Sequence, residues 1–307
     1  MFFKSSLLSV VLCLTLVTAA ISDSSLESKA KNKISSKIDQ GVSTLSGKIS
    51  ENISSFAANN FEKVKYLDFE INAQEYLKPT FSIMSVTEIF KIYSDTGTIF
   101  NQTSLNTHDD DETINIGFGI RKLLNDNKVL IGSNVFYDHQ FDDGHKRAGA
   151  GAEAISSIFD VRGNLYNAIT QAIATKDGSE TAMDGWDAQV DYHLPIKYDV
   201  NIFLNAFKFE SPTAGSTYKE TGNKFGANAK LGNFLIEGGY QNDNQINDKY
   251  FGSVKYVVNF GKDNQSSTPK SAISLTDVSD KLYQPVKREN KIRVVKISTS
   301  NVEVGGF

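Results

Sequence analysis

The sequence predicts an all-β protein, an antiparallel up-and-down β-barrel of about twelve strands closed on itself. Three observations predict it. Short stretches alternate apolar and polar residues one by one, as Trp186, Ala188, Val190, Tyr192 and Leu194 do against Asp187, Gln189, Asp191 and His193. Such period-two stretches follow one another along most of the chain with no helical period between them. The links that join them alternate between short and long, which an up-and-down sheet produces when its two ends lie in different surroundings.

The first elements differ from the rest. Residues 1–20 read as a signal peptide: Lys4, an apolar run from Leu7 to Val17, then the small residues Thr18, Ala19 and Ala20. That run is shorter than the roughly 20 residues a membrane helix needs. The only cysteine, Cys13, lies within it, so the mature chain is expected to carry no disulfide and no thiolate site. Residues 21–64 read as an amphipathic helical leader, with Ile34, Ile38, Val42, Leu45, Ile49, Ile53 and Phe56 forming one stripe. Gly41 and Gly47 weaken it. A stripe of this kind packs under a barrel or pairs two copies, so a homodimer through the leader is one expected partnership.

From Tyr66 the period becomes two. The first strand sets Leu67, Phe69, Ile71 and Ala73 against Asp68, Glu70, Asn72 and Gln74. The second holds Phe81 and Ile83, and the third runs from Ile99 to about Leu105. In the fourth, Ile114, Ile116, Phe118 and Ile120 alternate with Asn115, Gly117, Gly119 and Arg121. The fifth spans 131–137, the sixth 147–154 with Gly149 and Gly151, and the seventh 159–165. The eighth is the Trp186 stretch, and the ninth follows Val200, Ile202, Leu204 and Ala206. Phe225 to Leu231, Phe234 to Tyr240 and Tyr250 to Phe260 complete the set.

Short links lie around 125–127, 156–157, 195–197 and 232–233; longer polar ones carry 109–112, 140–145, 170–181, 211–223 and 242–248. The polar faces hold Asp68, Glu70, Arg121, Glu153, Arg162, Asp187, Asp191, Lys230, Glu237 and Lys255. Turned into a dry core, each charge needs a partner or costs several kcal/mol. Turned outward, they leave the apolar faces in water as large patches. Lipid outside and a wet lumen inside satisfy both faces, and closure removes the strand edges that lipid cannot satisfy. The barrel is therefore expected to be transmembrane, with outer-membrane lipid as its surroundings. The 20 Phe and 12 Tyr suit interfacial girdles, and a net charge of -4 argues against nucleic acid. The last strand, ending Tyr256-Val257-Val258-Asn259-Phe260, resembles the closing-strand signal read by barrel-insertion machinery.

Sites for chemistry are sparse. Tyr137, Asp138, His139, Asp142, Asp143 and His145 crowd one loop, and a polar hairpin explains them better than a metal. Asp109, Asp110, Asp111 and Glu112 lack the spaced ligands and glycine of a calcium loop. The four histidines, His108, His139, His145 and His193, accompany no nucleophile motif. No enzyme activity, cofactor or metal is expected. Arg121, Glu153 and Arg162 face the predicted lumen, where charges grip a threaded chain, set ion selectivity or simply brace the wall. Arg147 draws attention beside them. Gly117, Gly119, Gly149 and Gly151 leave room against the wall for a plug.

The stretch from Asn115 to Ala154, NIGFGIRKLLNDNKVLIGSNVFYDHQFDDGHKRAGAGAEA, resembles the signature of the inverse autotransporter β-domain of intimins and invasins. LYQPVKRENKI, Leu282 to Ile292, resembles the linker that follows the barrel in that family, and the likeness spans roughly residues 55–295. The resemblance implies a twelve-stranded barrel in the outer membrane of a Gram-negative bacterium, with its leader in the periplasm. It also implies that the segment after the last strand, residues 261–307, turns back through the pore and carries a passenger to the surface. Lys287, Arg288 and Lys291 of that tail are then expected among acidic lumen groups. An adhesive Ig-like passenger does not fit the residues after Ile292, so the expected function is export or display of a short tail, with cell adhesion by analogy alone. The rivals are an unplugged channel and an anchor whose long loops bind a partner.

Overall fold

The computed structural model describes residues 63–74, 80–108, 111–141, 143–176, 178–196, 199–245, 249–259, 274–298 and 303–306. The signal peptide, and all but the last two residues of the leader expected over 21–64, lie outside the described residues.

The twelve expected strands are all present, and most run beyond their expected bounds. They are β1 (Val64–Gln74), β2 (Thr80–Ile92), β3 (Gly97–His108), β4 (Asp111–Leu124), β5 (Val129–Gln140), β6 (Lys146–Ser156) and β7 (Phe159–Ala168). Two short strands follow, β8 (Ile173–Thr175) and β9 (Gly178–Ala182). The barrel then resumes with β10 (Asp184–His193), β11 (Asp199–Glu210), β12 (Lys219–Leu231), β13 (Phe234–Asp243) and β14 (Lys249–Asn259). Neighbours pair antiparallel in chain order, and β14 closes on β1 through nine register pairs from Tyr66↔Asn259 to Gln74↔Phe251. Two strands of the tail, β15 (Val294–Ser298) and β16 (Glu303–Gly306), join β8 and β9 in a second sheet ordered β16-β15-β9-β8.

The two faces sort by polarity as the alternation requires. Outward lie Phe118, Val135, Leu165, Leu204 and Phe225, all more than half exposed, while Asp68, Asn115, Asp138, Arg147 and Arg162 are buried within. An apolar belt outside and a charged interior are the reverse of a water-soluble barrel. Among the described residues no helix is long and apolar enough to cross a membrane.

The links depart from expectation in three places. Strand β3 runs to His108 and β4 starts at Asp111, its register partner, so only two residues separate the strands where a long link is expected over 109–112. The 211–223 loop shrinks because β12 begins at Lys219. The 170–181 link is not an open loop: it folds as the β8–β9 hairpin. In each case main-chain pairing continues past the last apolar residue, where the side-chain pattern stops reporting it. The short links remain short. That over 125–128 turns with Asn125, Asp126 and Asn127 at φ 53, 54 and 64. Asn and Asp tolerate the left-handed region best among residues with a Cβ.

Candidate functional site

The lumen is occupied by the chain's own tail, which enters at the short-turn end. Thr276 N donates to Ser157 Oγ at 3.0 Å, and Val278 N donates to the Asn127 carbonyl at 2.8 Å. A 3-10 turn over Ser279–Lys281 follows. The tail leaves at the opposite end, where β15 pairs with β9 from Val294↔Ala182 to Ser298↔Gly178.

Four tail cations meet carboxylates from four different strands. Lys281 Nζ lies 3.2 Å from Asp160 on β7, Lys287 Nζ 2.7 Å from Asp191 on β10, Arg288 Nη2 2.7 Å from Asp138 on β5, and Arg293 Nη1 2.6 Å from Glu220 on β12. The wall braces those acids. Arg162 bridges Asp191 at 2.6 Å, Asp160 at 3.1 Å and Glu153 at 3.7 Å; Arg147 holds Asp138 at 2.8 Å. Arg121 binds Glu153 at 2.6 Å and also donates to the tail carbonyls of Leu282 and Gln284. Charge-assisted pairs in a sheltered lumen are stronger than exposed ones and fix geometry.

The wall also holds the tail's backbone. Gln102 accepts from Val286 N at 2.7 Å and donates to the Val286 carbonyl at 3.3 Å, so one amide imitates a neighbouring strand. Asn164 donates to the Lys287 carbonyl, Arg147 to that of Glu289, and Asn115 to that of Asn290. The Tyr166 hydroxyl accepts from Glu289 N at 2.7 Å and donates to Asp187. Apolar burial follows the same path. Val286 joins Tyr66, Val86, Phe100, Phe136 and Val257; Val278 and Leu282 join Leu123, Leu130 and Ile155; Val295 joins Tyr166, Met183, Phe207 and Phe209.

The glycines make the room, partly at one remove. A Cβ on Gly149 would lie 3.0 Å from Arg288 Nη2, a direct contact with the tail. Cβ atoms on Gly117 and Gly119 would instead enter the rings of Phe136 and Phe100. Those rings lie under the guanidinium groups of Arg288 and Arg121, at 4.2 and 4.5 Å from their centroids. Most luminal hydrogen bonds to the tail come from β3 to β7 and β10, while Arg293 reaches Glu220 on β12, and Val286 and Val295 pack against residues of β1, β2, β11 and β14. Toward β1, β2 and β11 to β14 a cavity of about 250 Å³ remains, bordered by Glu70, Glu237, Lys224 and Lys255.

Of the candidate residues, Arg121, Glu153, Arg162, Lys287 and Arg288 converge in this network, while Lys291 lies beside the tail's own Glu289. Sequence reasoning missed Asp138, Asp160, Asp191, Glu220, Arg293 and Gln102 as tail contacts. The crowd from Tyr137 to His145 is a correction: it is not one loop. Strand β5 continues to Gln140, which turns Asp138 into the lumen and sets His139 on the other face, edge-on to Tyr137 and tilted against Phe141. His145 is buried 3.6 Å from Glu180. Among the described residues no group of three or more His, Cys, Asp or Glu could hold a metal ion.

A twelve-stranded barrel with an apolar exterior and a charged, chain-filled lumen defines an outer-membrane β-barrel. The chain matches the inverse autotransporter β-domain over residues 19–290, and it belongs to that family. It is 30% identical over 115 residues to an attaching and effacing protein homolog of Escherichia coli (strain K12), a stretch covering 36% of this chain and 39% of that protein. A structure solved in work on in-meso crystallization of membrane proteins superposes with a TM-score of 0.63 at 21% identity, over 75% of this chain and 98% of the other. At that identity the likeness is one of fold.

Proposed function

We propose that this chain is a translocator barrel: residues 65–260 form the outer-membrane pore and residues 261–307 are the segment it carries to the cell surface. The observation that carries this reading is the set of four cation–carboxylate pairs between one threaded segment and strands β5, β7, β10 and β12. A wall whose only role is rigidity has no need to place acids in register with a tail. The short-turn end and the leader over 21–64 are then periplasmic, and the long-loop end faces outward. The barrel holds and passes chain, without a catalytic step. Strand β14 is the segment the insertion machinery reads, and a leader-mediated dimer remains compatible with this arrangement.

The test is planar-bilayer conductance of the purified barrel, with folding monitored by heat-modifiable mobility. The full chain is expected to be nearly silent and the variant lacking residues 265–307 to conduct. Equal conductance in both overturns the reading. The second reading, a channel for small solutes, is favoured by the cavity of about 250 Å³ beside the tail. It requires steady conductance in the full chain.

A further inference from the structure

The link from β7 to β10 rises from the barrel as the β8–β9 hairpin and ends against the departing tail. The geometry points to this hairpin as a strand-docking site at the pore mouth, which captures the extended segment that follows Arg293 and keeps it from sliding back. The inference rests on the translocator reading and adds a receiving device to it.

The register is continuous. Five residues of β15 face five of β9, from Val294↔Ala182 to Ser298↔Gly178, and Met183 N extends the ladder by donating to the Arg293 carbonyl at 2.9 Å. The hairpin is shaped for this partner. Gly178 sits at φ 153, and a Cβ there would collide with the Ile297 carbonyl, so only glycine admits the incoming backbone. Glu180 reaches Lys296 Nζ at 2.8 Å. Lys296 is 56% exposed on its side chain, so this pair contributes little, and the main-chain ladder does most of the holding. Apolar burial assists: Val295 is fully buried with Met183, Phe207 and Phe209, and Val294 packs with Ala182 and Ile292.

Direction follows from the sheet order. Strand β9 is already paired to β8 before any tail emerges, and offers one open edge. Strand β15 takes that edge and in turn presents its own, which β16 occupies through Val294↔Gly306 to Ile297↔Glu303. The segment therefore gains ladder hydrogen bonds only after it has cleared the pore. The favoured occupant is extended chain with β-branched residues and a cation opposite Glu180.

The test uses the full chain in outer membranes, with an epitope appended after Phe307. Gly178→Val is compared with Ala174→Val, which lies on β8 away from the tail. The expected result for Gly178→Val is unchanged low conductance, because the luminal contacts persist. Cleavage within 294–298 by external protease should rise on the order of tenfold, and antibody access to the epitope should be delayed, whereas Ala174→Val behaves as wild type. Unchanged cleavage and unchanged kinetics overturn the docking site while leaving the closed pore intact. An open wild-type pore sinks the translocator reading instead. If Gly178→Val fails to fold, the Thr181→Cys, Val295→Cys double variant decides: these two positions are register partners, and a disulfide under mild oxidation is expected. Its absence in a folded barrel overturns the proposal.

Discussion

Arg288 Nη2 lies 2.7 Å from Asp138 Oδ2, with 1% and 0% of the two side chains exposed. The same carboxylate accepts from Arg147 Nε at 2.8 Å, so one wall acid neutralises a guanidinium of the wall and another of the tail. Removing it strands two buried cations. Asp138→Ala is expected to destabilise the tail-bound barrel by about 3–5 kcal/mol, the usual cost of breaking a buried pair from one side. Urea titration of the folded barrel measures the loss, and faster cleavage of the tail by external protease marks its origin. An Asp138→Ala barrel as stable and protease-resistant as wild type would mean that the lumen does not grip the tail here.

Gly117 supports that grip from behind. A Cβ at this position would enter the Phe136 ring, and Phe136 in turn carries the Arg288 guanidinium. Gly117→Ala should therefore cost about 1–3 kcal/mol by overpacking. Gly163 is the control, because the nearest heavy atom to a Cβ there is the Asp187 carbonyl oxygen at 4.0 Å. Gly163→Ala is expected to be neutral. The comparison is read as the temperature at which each barrel loses its compact electrophoretic mobility, and equal shifts would discard the role given to Gly117.

The outer face can be tested at Leu165, which is 65% exposed and points away from the lumen. Leu165→Arg places a charge on the lipid face and is expected to disfavour folding into vesicles by up to about 2–4 kcal/mol, depending on depth. Folding yield against urea, in vesicles of fixed composition, measures it. A negligible effect would mean that Leu165 does not meet hydrocarbon.

Much of this was legible because a strand reports its faces at every second residue. Arg121, Glu153 and Arg162 are on the lumen side for the same reason that Ile120, Ala154 and Val161 are not. The same parity should have placed Arg147 beside Gly149, Gly151 and Glu153, and Asp138 beside Asn134 and Phe136. Asp138 is missed because a strand ended at its last apolar residue stops at Tyr137 and leaves the carboxylate in a loop, whereas Arg147 lies inside the sixth stretch and lacks only the assignment of its face. The β8–β9 hairpin was illegible for a different reason. Its partner is the backbone of a tail more than a hundred residues later in the chain, and main-chain hydrogen bonds leave almost no signature in side-chain type. Gln102 escaped likewise: nothing in an isolated glutamine tells that its amide will stand in for a strand edge.

The mouth sheet should respond to acid through His145. Burial holds its imidazole below the ordinary value of 6.5, outweighing the opposing pull of Glu180, whose Oε2 lies 3.6 Å from Nε2. Asp143 also favours the protonated ring, and Lys296 disfavours it. The sign follows from linkage: a base depressed in the folded state stays neutral there while the opened state takes up a proton. Stability is thus fully present above pH 6.5 and declines as pH falls below it, down to the lowered folded value. Amide exchange over 178–182 and 294–298 is expected to accelerate at pH 5 relative to pH 7.5, after correction for intrinsic rates, while the β3–β4 ladder stays protected. His145→Gln should flatten that dependence. A mouth sheet equally protected at both values in the wild type would show that His145 does not couple protonation to opening.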